Sequence, residues 1–284
     1  MKRTLSLLLV TGLAVLSFCA CNGAPEVSAQ PQVLALSATP VPTPPPTPTP
    51  TPSPAPTPVP TPTPPLHGLV IGIDPGHQRV YNPEPEPIAP GSSKTKQKTA
   101  GGARGANTGV LEYEVNLAVG LLLRDRLEAL GATVCLTRDS NDVDLSNRER
   151  AEFFNEREVD LALRLHCNGS DNKKLNGAFM IIPAEYLTDH YDTCRAAAIC
   201  IIEEYCRATG LQECYLDNDG LSERGDQAGF NWCTRPIVTI EMGFLTHAED
   251  ELLLADPAFH ATMADGLCDG IVRWYTGTVG TAGG

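Results

Sequence analysis

Apolar residues in this chain fall into short runs, and three of the runs end in a residue able to bind a metal or move a proton. Leu69-Val70-Ile71-Gly72-Ile73 leads into Asp74-Pro75-Gly76-His77. Val159-Asp160-Leu161-Ala162-Leu163-Arg164-Leu165 leads into His166-Cys167-Asn168-Gly169, and Pro236-Ile237-Val238-Thr239-Ile240 into Glu241-Met242-Gly243. Each has the length and apolar content of a buried strand followed by a glycine-containing turn. Between the runs the spacing becomes helical. Glu112 to Leu130 reads as an amphipathic helix, with Val115, Leu117, Leu121, Leu122 and Leu127 toward a core and Gly131 just past its end. Ser146 to Arg157 reads as a second helix, opened by a capping box of Ser146 and Glu149. Residues 132–137 and 177–182 read as further strands, and Thr188 or Asp189 to Thr209, Ala248 to Leu254 and Pro257 to Tyr275 as helices. Strand and helix alternate, which predicts a single α/β domain: a central, mostly parallel or mixed sheet flanked by helices on both sides. Arg79 to Gly109, with the basic cluster Lys94, Lys96 and Lys98, reads as a long polar loop, and Glu213 to Thr234 as irregular.

The first part of the chain follows other rules. Lys2 and Arg3 precede an apolar stretch from Leu5 to Phe18, too short for a span of about twenty residues and suited to a secretory signal over residues 1–21. Cys19-Ala20-Cys21 resembles a bacterial lipobox with Cys21 as the lipidated residue, although Phe18 and Cys19 depart from the usual residues before it; an ordinary cleaved signal is the alternative. Residues 22–66 are rich in Pro and Thr. From Pro40 to Pro65 they carry neither charge nor apolar period. Such a segment favours polyproline II, about 3.1 Å per residue, and would act as a semi-rigid stalk of up to roughly 80 Å. The expectation is an exported chain in the cell envelope, lipid-anchored at Cys21 to the outer face of the cytoplasmic membrane or otherwise secreted, with one folded domain over residues 67–284.

Charge narrows the partners. The formal net charge is −13, and only Lys2, Arg3 and Glu26 among the charged residues precede His67, so the acidic excess lies in the domain. That argues against nucleic acid and against adhesion to anionic polymers by charge alone. Eight of the ten cysteines lie in the domain, with no CxxC pair or zinc-finger spacing. Export permits disulfides, and reduced core thiols fit equally well.

The three strand ends carry the candidate chemistry. In open α/β sheets ligands bind at the carboxyl ends of the strands. A zinc hydrolase needs three protein ligands and one open position. His77 and His166 offer two nitrogens. Glu112 is the best third candidate, because a helix beginning after the first strand places its first turn at the same edge; Glu114 competes with it. Glu241 closes a buried strand, a costly place for a carboxylate without a use, though an N-cap for the following helix would also explain it. Arg164 sits inside a run that reads as buried and needs a partner for its charge. Arg138 and Arg148 read as structural, pairing with Asp139, Asp142 or Asp144. His67, His190, His247 and His260 read as surface or capping residues. Asn116 and Asn168 suit either a supporting bond to the site or a turn, and Trp232 either the core or a cleft wall.

Taken in order, Asp74-Pro75-Gly76-His77, Glu112-x-x-x-Asn116-Leu117, Thr137-Arg138-Asp139, Arg148, His166-x-Asn168 and Glu241-x-Gly243-Phe244 resemble the zinc-dependent N-acetylmuramoyl-L-alanine amidases of the amidase-3 type. The resemblance runs from Leu69 to about Tyr275. It implies that His77, Glu112 and His166 bind Zn2+, that Glu241 is the catalytic glutamate, and that the substrate is peptidoglycan, cut at the amide between N-acetylmuramic acid and L-alanine. The chain departs from the family pattern at Tyr113-Glu114, at Arg164 where many members have serine, and in the length of the segment from Arg79 to Gly109. A non-catalytic wall-binding or regulatory domain of the same fold, or a zinc peptidase on another substrate, are the alternatives. Retention of the two histidines and both glutamates favours the hydrolase.

Overall fold

The structure, a computed structural model, describes residues 63–214 and 221–282, with the side chains of 278–282 left aside. The expected signal segment, Cys21 and almost all of the Pro/Thr-rich stretch lie outside those residues. The first apolar run forms β1 (Val70–Pro75). The segment after it, expected as a loop, contains an antiparallel hairpin of β2 (Pro85–Pro87) and β3 (Thr95–Gln97). Neither strand shows apolar alternation, because the hairpin is held by distant groups: the indole N–H of Trp232 donates to the Pro87 carbonyl at 2.9 Å and Asn231 to that of Ile88 at 3.1 Å.

Next come α1 (Glu112–Ala129), β4 (Thr133–Leu136) and α2 (Asn147–Glu156), the last opened by the expected capping box: Ser146 accepts from the Glu149 amide, and Glu149 from the Ser146 amide. They are followed by β5 (Leu161–Asn168), β6 (Phe179–Pro183), α3 (Tyr191–Thr209), β7 (Leu221–Arg224), α4 (Ala228–Asn231), β8 (Ile237–Phe244), α5 (Ala248–Leu254) and α6 (Pro257–Ala282). The stretch expected as irregular before β8 therefore holds one short strand and one helical turn.

Six strands form the main sheet in the order β4-β1-β5-β8-β6-β7. All neighbours are parallel except β6 against β8. Side chains alternate between two faces. One face packs Ile71, Ile73, Leu163, Leu165, Val238 and Ile240 against α1, α3 and α6 in the larger core. Each fully buried leucine or isoleucine there stabilises the fold by about 1.5–3 kcal/mol. The other face carries Ala162, Ile237, Phe179 and Ile181 against Phe154 of α2 and Phe230 of α4. Leu66 is fully buried in the larger core and its amide donates to the Leu130 carbonyl at 3.0 Å, so the packed body begins just before His67.

The topology positions the site. From β1 the chain passes through α1 to β4 on one side, then returns through α2 to β5 on the other side of β1. Because α1 and α2 cover opposite faces, a crevice opens where the carboxyl ends of β1 and β5 meet. All eight domain cysteines are unpaired. Burial raises the Cys194 and Cys268 thiols to about 11 and Cys206 to about 12, leaving them poor nucleophiles. No helix among the described residues is long and apolar enough to cross a membrane.

Candidate active site

His77 follows β1 in the left-handed region, φ 58°, uncommon outside glycine. Gly76 beside it tolerates no side chain: a Cβ there would lie 2.3 Å from the His166 ring. This tight turn lets the two imidazoles meet edge to face, their centroids 4.8 Å apart. Glu112 is the first residue of α1, and His166 lies near the end of β5, directly across from Glu241 of β8. The three expected ligands thus converge, their candidate ligand atoms within 4.8 Å of one another. Glu114, the competing carboxylate, is exposed.

The hydrogen bonds around this cluster are incomplete in an informative way. His77 Nδ1 lies 2.9 Å from the Ala100 carbonyl, which can only accept, so that nitrogen carries the proton. In the neutral ring Nε2 then presents a lone pair to Glu112 Oε1 at 3.2 Å. Two acceptors at that distance repel unless a proton or a cation lies between them. The same oxygen is 3.0 Å from His166 Nδ1 and accepts from the Cys167 amide at 3.1 Å, while Oε2 accepts from the Ala103 amide at 2.6 Å. Asn116, buried, ties the carboxylate to the Gly76 carbonyl, so it supports the site. His166 Nε2 and Glu241 Oε2 are buried with no hydrogen-bond partner among the described residues. Such orphaned atoms are rare in a folded protein. Two imidazoles and a carboxylate are also a donor set typical of catalytic zinc. The residues present fit a metal ion.

Protonation follows from the same contacts. Burial drives His166 down to about 4, against the pull of Glu112. Burial also lowers His77, but its hydrogen bond and attraction to Glu112 outweigh that and raise it above 6.5. For Glu112, burial opposes ionisation, yet the two histidines win and hold it well below the usual carboxylate range. Glu241 behaves oppositely. Burial and then the negative charge of Glu112 push it well above the usual range, with only Arg164 opposing.

Beneath the cluster lies a layer of charge whose partners only the fold reveals. Asp74, fully buried, accepts from Thr137 at 2.7 Å, Arg150 at 2.5 Å and Arg164 at 3.1 Å. Asp74 is thus the partner that Arg164 required. Arg150 carried no sequence signal beyond its place on α2. Arg138 is structural, as expected, but its partners are not the nearby aspartates: it donates to the carbonyls of Pro75, Gly76 and Tyr113, locking the His77 turn to the start of α1. Arg148 pairs with Glu152 and stacks on Trp232, 4.3 Å from the ring centroid. Trp232 belongs to neither core cluster and anchors the hairpin instead. Asn168 accepts from the amide of Gly169, a turn bond. His247 caps α5, which removes the N-cap explanation for Glu241, and His260 is buried, donating to the Leu254 carbonyl at 2.8 Å at the end of that helix.

A mixed sheet wound on both faces, with its polar cluster at the switch point, defines the class: an α/β domain that works at the carboxyl ends of its parallel strands. Residues 71–273 match Amidase_3, described as N-acetylmuramoyl-L-alanine amidase, and the chain belongs to that family. It is 30% identical over 171 residues to the N-acetylmuramoyl-L-alanine amidase LytC of Bacillus subtilis, a match covering 59% of this chain and 32% of that protein, so the chain spans about a third of LytC. Over 234 residues it is 27% identical to the germination-specific N-acetylmuramoyl-L-alanine amidase of the same organism, covering 75% of this chain and 82% of that one. The crystal structure of the amidase Ami1 from Mycobacterium smegmatis shares the fold, with a TM-score of 0.68 at 23% identity over 75% of this chain and 99% of that one.

Proposed function

We propose that the chain is a zinc-dependent amidase that cleaves the bond between N-acetylmuramic acid and L-alanine in peptidoglycan. The observation that carries this reading, in a chain of this family, is the convergence of His77, Glu112 and His166 beside a buried Glu241 with an unanswered oxygen. His77, Glu112 and His166 would hold the ion. Zinc bound there supplies Lewis acidity, polarising the amide carbonyl and making water acidic enough to react at neutral pH.

The protein's own groups do the rest. The Nδ1 proton of His77, held by the Ala100 carbonyl, fixes the tautomer and leaves Nε2 facing the site. Asn116 and the amides of Ala103 and Cys167 hold Glu112 in place as a carboxylate. Glu241 takes the proton of the attacking water and delivers it to the L-alanine nitrogen as the carbon–nitrogen bond breaks. The new carboxylate stays on the lactyl group and the amine leaves with the peptide. A buried carboxyl with a raised pKa suits the second half of that exchange, since it holds a proton long enough to pass it on. Cys21 as a lipid anchor and the Pro/Thr-rich segment as a spacer complete the proposal, placing the enzyme at the membrane with reach into the wall.

The test uses the full-length protein on purified peptidoglycan with and without zinc, followed by mass spectrometry of the soluble products. The expected result is zinc-dependent release of peptides with a free N-terminal L-alanine. Intact muropeptides in the presence of bound zinc would sink the proposal.

A further inference from the structure

A second polar cavity adjoins the cluster on the α2–α4 face of the sheet. It measures about 210 Å³ and shares His166 and Glu241 with the groove over the histidines. Its floor follows from strand register. Arg164 stands across from Thr239 and His166 across from Glu241, and positions two apart on one strand share a face. Four polar side chains therefore make one block. Thr239 is 1% exposed, and its hydroxyl has no hydrogen-bond partner among the described residues. Lys96 of the hairpin stands at the wall.

Arg164 is set up to bind rather than merely to balance Asp74. Its Nε donates to Asp74, one Nη to Asn147 at 2.9 Å and the other to Gln227 at a long 3.4 Å. A guanidinium has five N–H groups, so two stay uncommitted among these contacts. Its charge is also surplus: Asp74 already has Arg150, and Arg138 nearby is met by carbonyls and an asparagine side chain. The carboxylate of Glu86 also borders the cavity, but it is committed to the start of α2, accepting from the Ser146 hydroxyl and the Arg148 amide. Space for the guanidinium is reserved by Gly229 of α4, where a Cβ would come within 3.0 Å of its central carbon.

We propose that this cavity is the subsite for a carboxylate of the substrate peptide, gripped by the free N–H edge of Arg164 and the Thr239 hydroxyl. The inference rests on the amidase reading and adds an orientation to it. In the scissile amide the lactyl carboxyl of N-acetylmuramic acid is consumed, so a carboxylate near the bond belongs to the peptide. The peptide side then enters between β5, β8 and the hairpin. The glycan side lies in the open groove past Ala100–Ala103 and Asn168.

The test compares kcat/KM of the full-length, zinc-loaded protein on soluble N-acetylmuramoyl-L-alanyl peptides in which one carboxylate at a time becomes a carboxamide: on the second residue, on the third-residue side chain, or at the C-terminus. One replacement is expected to lower kcat/KM about ten- to a hundredfold, the range for a lost charge-assisted bond, and so to identify the carboxylate. Arg164→Gln should bring that acid–amide pair within about twofold. Arg164→Lys should keep part of the preference, as a charge without the fork. Because Arg164 also serves Asp74, Gly229→Ala provides a second variant that crowds the guanidinium without removing it and should shrink the same ratio. Equal rates on all the peptides, or a preference that survives Arg164→Gln, would overturn the subsite and leave the amidase standing. Absence of any L-alanine-terminated product from every peptide would overturn the amidase reading instead.

Discussion

Two carboxylates lie toward the carboxyl ends of parallel strands in the same sheet, and their surroundings give them opposite characters. Asp74, at the end of β1, has a hydroxyl and two guanidinium groups against it, and this company drives its pKa far below the usual range despite full burial. Glu241, two strands away and three residues before the end of β8, has among the described residues no cation in contact and an oxygen without a partner, and it faces a like charge in Glu112. A saturated carboxylate anchors structure and has nothing left to offer a substrate. An unsaturated one stores the free energy of an unmade bond until a proton or ligand arrives. Position on the sheet edge alone does not separate anchor from reactant; the count of donors does.

The largest effect is expected at the unsaturated member. Glu241→Gln should cut turnover on peptidoglycan by about 10²–10⁴-fold, with bound zinc and thermal stability retained; activity within tenfold of the parent would remove Glu241 from the proton transfer. His166→Ala should lose zinc and hydrolysis together, read by metal analysis beside the assay. Asp74→Asn should act on stability instead. Leaving Arg150 and Arg164 without their counter-charge costs about 3–5 kcal/mol in buried pairs of this kind, visible as a lower denaturation midpoint. If Asp74→Asn left the midpoint unchanged and abolished only turnover, the division between anchor and reactant would be wrong.

Acid titration sharpens the same contrast. A carboxylate whose pKa falls on folding contributes stability that is complete above its ordinary value, near 3.8 for Asp74, and is lost as pH falls toward the folded value. The parent should therefore lose stability steeply below about pH 4, and Asp74→Asn should show a shallower loss. The smallest expected effect lies at His77. Its raised pKa means that, without metal, its contribution is complete below 6.5 and fades as pH rises through the folded value. The zinc-free protein should lose a little stability as pH rises above about 6.5, and zinc should abolish that slope by replacing the proton. A pH-independent midpoint for the zinc-free protein would show that Glu112 does not hold that proton.

Much of this was legible in the chain. Apolar runs gave away β1, β5 and β8 because buried strands need uninterrupted apolar residues. The Ser146–Glu149 box marked the start of α2 because a cap is a local device. The four residues of the proposed chemistry were visible because His77, His166 and Glu241 each follow an apolar run and Glu112 opens a helix. The hairpin was not legible, since Trp232 and Asn231 hold it from about 145 residues away in sequence. The partners of Arg138 were not either: the nearest aspartates were obvious candidates, and folding replaced them with carbonyls of the His77 turn.

By itself, then, the sequence determined the class of fold, the placing of the main strands and helices but not of the hairpin, β7 or α4, and which residues reach the carboxyl edge. Those are consequences of local periodicity and of what a buried strand can tolerate. The tertiary structure decided which strands are neighbours. It thereby set Asp74 against Arg164 across 90 positions of sequence, left the oxygen of Glu241 unanswered, and made Arg164 and Thr239 two walls of one cavity. No local rule encodes these outcomes, because sheet order and register bring side chains together by burial of the whole apolar surface rather than by any pairing written at either site.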